Sequence, residues 1–322
     1  VSPVRHCESL ESFRPPEGRS VHLAVGMFDG VHLGHRKVIE SAVQAALENG
    51  GLAGALTFWP HPSRLFRPDQ PTRMILTEEQ RRRQLSKLPI DFAVQQPFVE
   101  AFARIEAEDF LPYLKSKLPG LLSIHVGENW RFGRGRRGDA QALLRFASEQ
   151  GMRAVVCPSV SVDGERVSST RIREALETGD VELANRLLGH AYYSLGTAVE
   201  GKRLGRTLGF PTLNLPFEGD LAPARGVYVA KARRDGEAGD FLPGVANFGM
   251  RPTVDGRSGL LLEVHLLGER CPFDRGDRLE VAWLRFLRPE RKFGSVEALR
   301  DAIAADVERA RGWFAGRERG GE

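Results

Sequence analysis

The stretch Gly26-Met27-Phe28-Asp29-Gly30-Val31-His32-Leu33-Gly34-His35 limits what this chain can fold into more than any other. It follows an apolar run, Val21-His22-Leu23-Ala24-Val25, and precedes Arg36 to Leu47, where apolar residues recur at helical spacing until Asn49-Gly50-Gly51 ends them. The pattern predicts strand, glycine loop and helix in that order, with both histidines in the first helical turn. Glycine lets backbone come close to something bulky. The first turn of a helix carries unpaired N–H groups and roughly half a positive charge, so it holds an anion without a dedicated cation. Imidazoles at the same spot can donate to oxygens on which charge builds up. A lone H-x-x-H would more often be a surface or metal pair, but the ten-residue pattern in this setting is a stronger signal for phosphate.

The rest of the first half alternates in the same way. Strands are expected at Gly51–Phe58, Asp91–Val94, Leu121–Val126 and Arg153–Cys157, and helices through Thr77–Leu85, Ala107–Leu114 and Asp139–Glu149. Alternation of this kind implies a parallel sheet covered on both faces, with ligands beyond the carboxyl ends of the strands. After Gly189 the rhythm changes to short runs rich in Val, Leu and Phe, broken by Gly and Pro: Leu195–Glu200, Phe210–Leu215, Val227–Ala230, Leu260–Leu267 and Leu279–Leu287. That predicts a closed antiparallel barrel, with a last amphipathic helix from Ser295 to Phe314 packed across it and Ser295 as a simple N-cap. A length of 322 residues suits two domains, placed at 1–188 and 189–322.

Composition narrows the function classes. No apolar run approaches the ~20 residues of a membrane span, and the first residues show no signal-peptide pattern. Three widely spaced cysteines, Cys7, Cys157 and Cys271, lack metal-ligand spacing and are expected to be reduced thiols of a cytoplasmic protein. The net charge of +4 fits nucleic acid or a polyphosphate site, but no helix-turn-helix, zinc finger or RNA-binding aromatic pattern accompanies it, which makes nucleic acid the weaker reading.

Two literal motif matches fail on inspection. Gly133-Arg134-Gly135-Arg136-Arg137-Gly138 spells G-x-G-x-x-G, but it begins well after its strand ends and crowds three arginines into the turn where pyrophosphate would lie on backbone. Gly196 to Arg203 nearly spells a phosphate loop, with Arg203 in place of the metal-binding hydroxyl and no helix after it. Ser168-Ser169-Thr170-Arg171 is more informative, because three hydroxyls open a helical pattern and make a second anion-ready N-terminus bearing guanidinium. An ordinary N-cap is the competing reading. In the second half, Gly201-Lys202-Arg203-Leu204-Gly205 is a basic glycine loop before a strand on which Thr212 and Asn214 point the same way and can share a hard cation. Glu263 is a carboxylate in an apolar strand, a residue that usually faces solvent.

The histidine loop resembles the signature of the nucleotidyltransferase superfamily. Taken with TFWPHP, VGENWRFGRGRRGD, VSSTRIREAL, GRTLGFPTLNL, GVYV, GVANFGMRPTV, LEVHLL and FLRPERKF, in that order, it makes essentially the whole chain resemble the bacterial bifunctional riboflavin kinase/FAD synthetases. The resemblance implies a Rossmann-like nucleotidyltransferase domain that adenylylates FMN and a small antiparallel barrel with a C-terminal helix that phosphorylates riboflavin, both using ATP and magnesium (Mg2+). It implies that His32 and His35 act on the phosphates, with Gly26, Phe28, Asp29, Gly30, Ser168, Ser169, Thr170 and Arg171 around them. Asn129 and Phe132 would contact flavin. Gly201, Lys202 and Gly205 would lie on ATP in the barrel, Thr212 and Asn214 would hold magnesium, and Glu263 would be the general base. Asn247 and Arg251 are assigned to the flavin or nucleotide neighbourhood. Riboflavin, FMN and ATP are the expected partners of a monomer or weak homo-oligomer, without nucleic acid or membrane. Leu213 stands where the family usually has alanine, and 268–279 departs from the family pattern; both bear on the kinase half, so one alternative is a FAD synthetase with a silent kinase half, and another, from a different class, is a flavin-responsive regulator that uses its basic surface on nucleic acid.

Overall fold

The computed structural model describes residues 3–201, 208–237, 239–251, 259–268 and 271–319. The chain divides into two compact units, Val1–Ser169 and Thr170–Glu322.

The first unit is an α/β sandwich. Its strands are β1 (Arg5–Cys7), β2 (Val21–Val25), β3 (Leu52–Trp59), β4 (Phe92–Pro97), β5 (Leu121–Gly127) and β6 (Arg153–Cys157), with a small hairpin of β7 (Ser161–Val162) and β8 (Glu165–Arg166). Between them run α1 (Leu33–Asn49), α2 (Pro62–Phe66), α3 (Glu78–Ser86), α4 (Glu100–Ala103), α5 (Ala107–Lys117) and α6 (Ala140–Glu149). The six long strands are all parallel in the order β1-β4-β3-β2-β5-β6. The central strand β2 is buried on both faces, as its apolar run predicts. Val21, Leu23 and Val25 enter the core shared with α5 and α6, while Ala24 enters the core beneath α1, because successive side chains of a strand point opposite ways. The chain leaves β2 for β3 on one side and later returns to β5 on the other, so the crevice at its carboxyl end is the switch point where such sheets bind ligands.

The α1 face of this sheet holds a buried polar chain. Ser123 Oγ lies 2.7 Å from both His22 Nδ1 and His125 Nε2, and Ser41 Oγ of α1 lies 2.8 Å from His125 Nδ1. His125 is 1% exposed, and burial, with help from His22 and Arg153, pushes its pKa down to about 4. As pH falls from the ordinary 6.5 toward about 4, the unfolded chain takes up a proton that the folded chain refuses. Stability should therefore fall across that window, by about 3 kcal/mol at about 1.4 kcal/mol per pH unit. Urea titrations of the wild type and of His125→Gln check this: the variant should show a shallower loss between neutral and acid pH, and equal slopes would rule His125 out as the cause.

The second unit is built on an antiparallel sheet in the order β10-β13-β12-β11-β14-β9. Its strands are β9 (Tyr193–Thr197), β10 (Leu213–Pro216), β11 (Gly226–Arg234), β12 (Leu242–Arg251), β13 (Gly259–Leu266) and β14 (Arg278–Pro289). A bridge in which the Val199 N–H donates to the Asn214 carbonyl at 2.8 Å brings the two edges together, so the sheet is nearly a barrel. Trp283, Tyr228 and Phe248 fill its interior. Two short helices, α7 (Ser169–Thr178) and α8 (Val181–Leu188), precede it, and α9 (Val296–Arg319) follows. Val307 and Ala310 of α9 pack on Val227, Val229 and Val245 of the sheet, and Ser295 Oγ accepts the Ala298 N–H at 3.1 Å as a simple cap.

The structure differs from the sequence expectation in this unit. Strand β12 was not among the expected runs, since Pro243, Gly244 and Gly249 break the alternation that would announce it. The division into compact units falls at Ser169, with α7 and α8 packed on the barrel: Asn185 Nδ2 donates to the Trp283 carbonyl at 2.8 Å, and the Ala224 N–H donates to the Leu176 carbonyl at 2.9 Å.

Candidate active sites

The glycine loop at the carboxyl end of β2 is held in an unusual backbone shape. Phe28 and Val31 sit at φ 47° and 43°, in the left-handed region that costs a non-glycine residue energy, and both are fully buried. A Cβ at Gly26 would lie 2.9 Å from the Phe28 ring, so that position needs glycine. Asp29, 2% exposed, accepts the N–H groups of Ile75 at 3.0 Å and Leu76 at 3.4 Å. A carboxylate only accepts, so any part of Asp29 in holding phosphate falls to its backbone. Gly30, at φ 87°, turns the chain toward the helix.

His32 is the N-cap of α1 and His35 lies in its first turn, which contains no acidic residue. The His35 N–H donates to His32 Nδ1 at 3.2 Å, which places the proton of the neutral His32 ring on Nε2. The two rings stack with centroids 3.5 Å apart, and the Phe28 edge meets His35 at 5.4 Å. Gly34 leaves room for the His32 ring, which a Cβ there would meet at 3.2 Å. The second hydroxyl-rich segment reaches the same loop, since Ser169 Oγ donates to the Asp29 carbonyl at 3.0 Å. That hydroxyl commits its proton within the protein, and Ser168 precedes it, half-buried. Thr170 and Arg171 follow in the first turn of α7, in the other compact unit.

One group at this loop carried no signal in the sequence. Arg81, 1% exposed, donates to the carbonyls of Met27 at 3.2 Å and Phe58 at 3.3 Å and to Gln95 Oε1 at 2.8 Å, while its guanidinium lies 5.2 Å from the Trp59 ring centroid. Burial lowers its pKa to about 10 against the pull of Asp29 and Glu78, so it stays charged and clamps the start of the loop to β3 and β4. In the sequence it is one of three consecutive arginines on an exposed-looking helix. Of the two residues assigned to flavin, Asn129 is exposed, whereas Phe132 is a core side chain stacked on Trp130 at 4.8 Å.

The second candidate site is a cavity of about 490 Å3 in the barrel unit. Gly201, Thr212, Asn214, Asn247 and Glu263, all singled out in the sequence, line it together. Register explains the convergence: Glu263 of β13 stands opposite Asn214 of β10 and opposite Asn247 of β12, and directly opposed residues in a sheet present side chains to the same face. Asn247 Nδ2 donates to Glu263 Oε2 at 3.3 Å. A Cβ at Gly201 would lie 2.3 Å from Asn214 Nδ2, so only glycine lets the chain close on that amide. Leu213 is absent from the lining, because it points to the other face of β10. His265, Arg288 and Asp306 also line the cavity and were not singled out. Half-buried Arg288 and buried Asp306 form a 2.7 Å ion pair that ties β14 to α9. Lys202 and Gly205 lie outside the described residues, as does the Arg251 side chain. In the divergent 268–279 segment, Asp277 pairs with Arg234 at 2.9 Å and leads into β14.

A parallel α/β unit followed by a small antiparallel barrel with a terminal helix is a two-domain class of protein, and the family models divide the chain in the same manner. FAD synthetase matches residues 15–171 and riboflavin kinase matches residues 188–314. The chain belongs to the bifunctional riboflavin kinase/FMN adenylyltransferase family: it is 35% identical to the Escherichia coli K12 member over 292 residues, covering 91% of this chain and 92% of that one. The Pseudomonas fluorescens member is 36% identical over 298 residues, 92% and 94% of the two chains, and the Bacillus subtilis member 33% over 300 residues, 91% and 92%. A crystal structure described as a macrolide-efflux protein from Streptococcus pneumoniae is similar along 97% of this chain and 100% of its own, with a TM-score of 0.85 and 28% identity. Among the described residues no helix is long and apolar enough to cross a membrane.

Proposed function

We propose that the barrel unit transfers the terminal phosphoryl group of ATP to riboflavin, giving FMN and ADP, and that the parallel-sheet unit transfers an adenylyl group from ATP to FMN, giving FAD and pyrophosphate. The observation that carries the reading is the barrel cavity, where Thr212, just before β10, lines one space with two amides and a carboxylate from β10, β12 and β13. Glu263 takes the proton of the attacking ribityl hydroxyl, and the Asn247 amide, by holding Oε2, leaves Oε1 to receive it. Thr212, just before β10, and Asn214 on it would hold magnesium, since two oxygen donors two residues apart suit a hard cation. Among the described residues no group of three or more His, Cys, Asp or Glu side chains offers a rival metal site. Bound magnesium offsets phosphate charge.

In the parallel-sheet unit, the N–H groups opening α1 and the Nε2 proton of His32 meet the phosphates, with His35 stacked behind. The Ser169 hydroxyl anchors the loop, so its share of phosphate binding falls to its N–H. Asn129 meets the flavin, and Phe132 supports that turn from the core. The three unpaired cysteines, two of them buried, support a cytoplasmic location.

Chromatography of the products of riboflavin, ATP and magnesium tests the whole reading. Both FMN and FAD are expected. FAD appearing only when FMN is supplied would establish the silent-kinase alternative, and neither product together with salt-dependent nucleic-acid binding would establish the regulator.

A further inference from the structure

The imidazole of His265 has no place in the reaction described so far, yet it lines the barrel cavity two residues from Glu263 on the same face of β13. Its Nδ1 lies 2.9 Å from the carbonyl oxygen of Pro211. A carbonyl only accepts, so Nδ1 carries the proton and donates it, and the tautomer is thereby set. The Phe210 ring meets the imidazole edge-on at 5.4 Å.

The bond matters because of where the backbone ladder stops. Strands β10 and β13 pair from Leu213 opposite Val264 onward, and in the same register Thr212 would stand opposite His265. The paired strand begins only at Leu213. Pro211 has no N–H with which to extend the ladder, and Gly209, at φ 88°, turns the chain away just before it. Asn214 is thus positioned by the sheet. Thr212 lies beyond the ladder: its own carbonyl accepts Asn214 Nδ2 at a long 3.4 Å, and the carbonyl before it accepts His265 Nδ1 at 2.9 Å.

We propose that His265 is a positioning residue for the kinase reaction: by donating from Nδ1 to the Pro211 carbonyl it holds Thr212 in line with Asn214 and sets the metal-binding pair relative to Glu263. The inference rests on the assignment of Thr212 and Asn214 to magnesium made above. A strand end without this staple frays, and the cation then loses one of its two protein ligands.

Two isosteric variants separate this from other roles. Asparagine places an N–H donor where Nδ1 stands, and glutamine reaches the place of Nε2. In riboflavin phosphorylation, His265→Ala and His265→Gln should raise the magnesium concentration for half-maximal rate about fivefold to tenfold, the factor that loss of one hydrogen bond of ordinary strength produces. His265→Asn should return it to within about twofold of the wild type by the same measure. Adenylylation of FMN, assigned to the other compact unit, should be unchanged in all three, and thermal melts followed by circular dichroism that match the wild type should report that the barrel unit is folded in each variant. A second readout needs no substrate: in nitrogen-15 spectra of histidine-labelled protein near pH 8, the ring resonances lost in His265→Asn should be those of an Nδ1-protonated tautomer. Rescue by glutamine and not asparagine, or an Nε2-protonated ring, would overturn the proposal. A wild type without riboflavin phosphorylation would instead overturn the kinase reading on which it stands.

Discussion

Replacing His32 or His35 by alanine should lower FAD formation from FMN and ATP by about two to three orders of magnitude, the usual cost of losing a donor to charge that develops in the transition state. FMN formation from riboflavin should persist, because the Thr212, Asn214 and Glu263 cavity lies in the other compact unit. The experiment needs one control. His32 is also the N-cap of α1, accepting the His35 N–H, so His32→Ala removes a cap worth about 1 kcal/mol as well as an imidazole. Asparagine caps helices well and cannot replace Nε2. His32→Asn should therefore melt close to the wild type and still be defective in FAD formation. If FMN and FAD formation fell together in folded protein, separate sites would be untenable.

Glu263→Gln should lower riboflavin phosphorylation by about 100- to 10,000-fold, the range ascribed to a positioned general base, while FMN adenylylation stays intact. Glutamine keeps the size of the side chain and can still pair with Asn247 by turning its amide, so the sheet should tolerate it. What is lost is the basic oxygen. The rate of FMN production under saturating ATP and riboflavin reads the effect directly. Undiminished production would return Glu263 to the role of an ordinary polar residue on the face of a strand.

Much of the fold was legible because its signals are local. The apolar run of β2, the glycine loop and the Asn49-Gly50-Gly51 stop of α1 each depend on residues within a few positions: Gly50 adopts φ 62° and its N–H returns to the carbonyls of Ala46 and Leu47, the helix end that glycine permits. The capping box of Thr77 and Gln80 at the start of α3 is local in the same sense. Strand β12 was not legible, because its alternation is interrupted by Pro243, Gly244 and Gly249 and its place between β11 and β13 is decided by partners distant in sequence. The side on which α7 and α8 pack was not legible for a similar reason: they look like any helices in sequence, and only contacts such as Asn185 with the Trp283 backbone show which core they join.

The sequence by itself determined the class of each half and the family, and it singled out Gly201, Thr212, Asn214, Asn247 and Glu263, which line one cavity, because chemistry-bearing types at short fixed spacings survive without any knowledge of the fold. Tertiary structure alone decided how those residues meet. That Glu263 faces Asn214 and Asn247 follows from strand register, that Arg81 and not Arg82 or Arg83 turns inward follows from packing against β3 and β4, and that Asp29 and Ser169 bond to the protein follows from loops brought together across the unit. Register, inward rotation and loop approach are set by burial and hydrogen bonding between residues far apart in the chain, and no short stretch of sequence contains both partners.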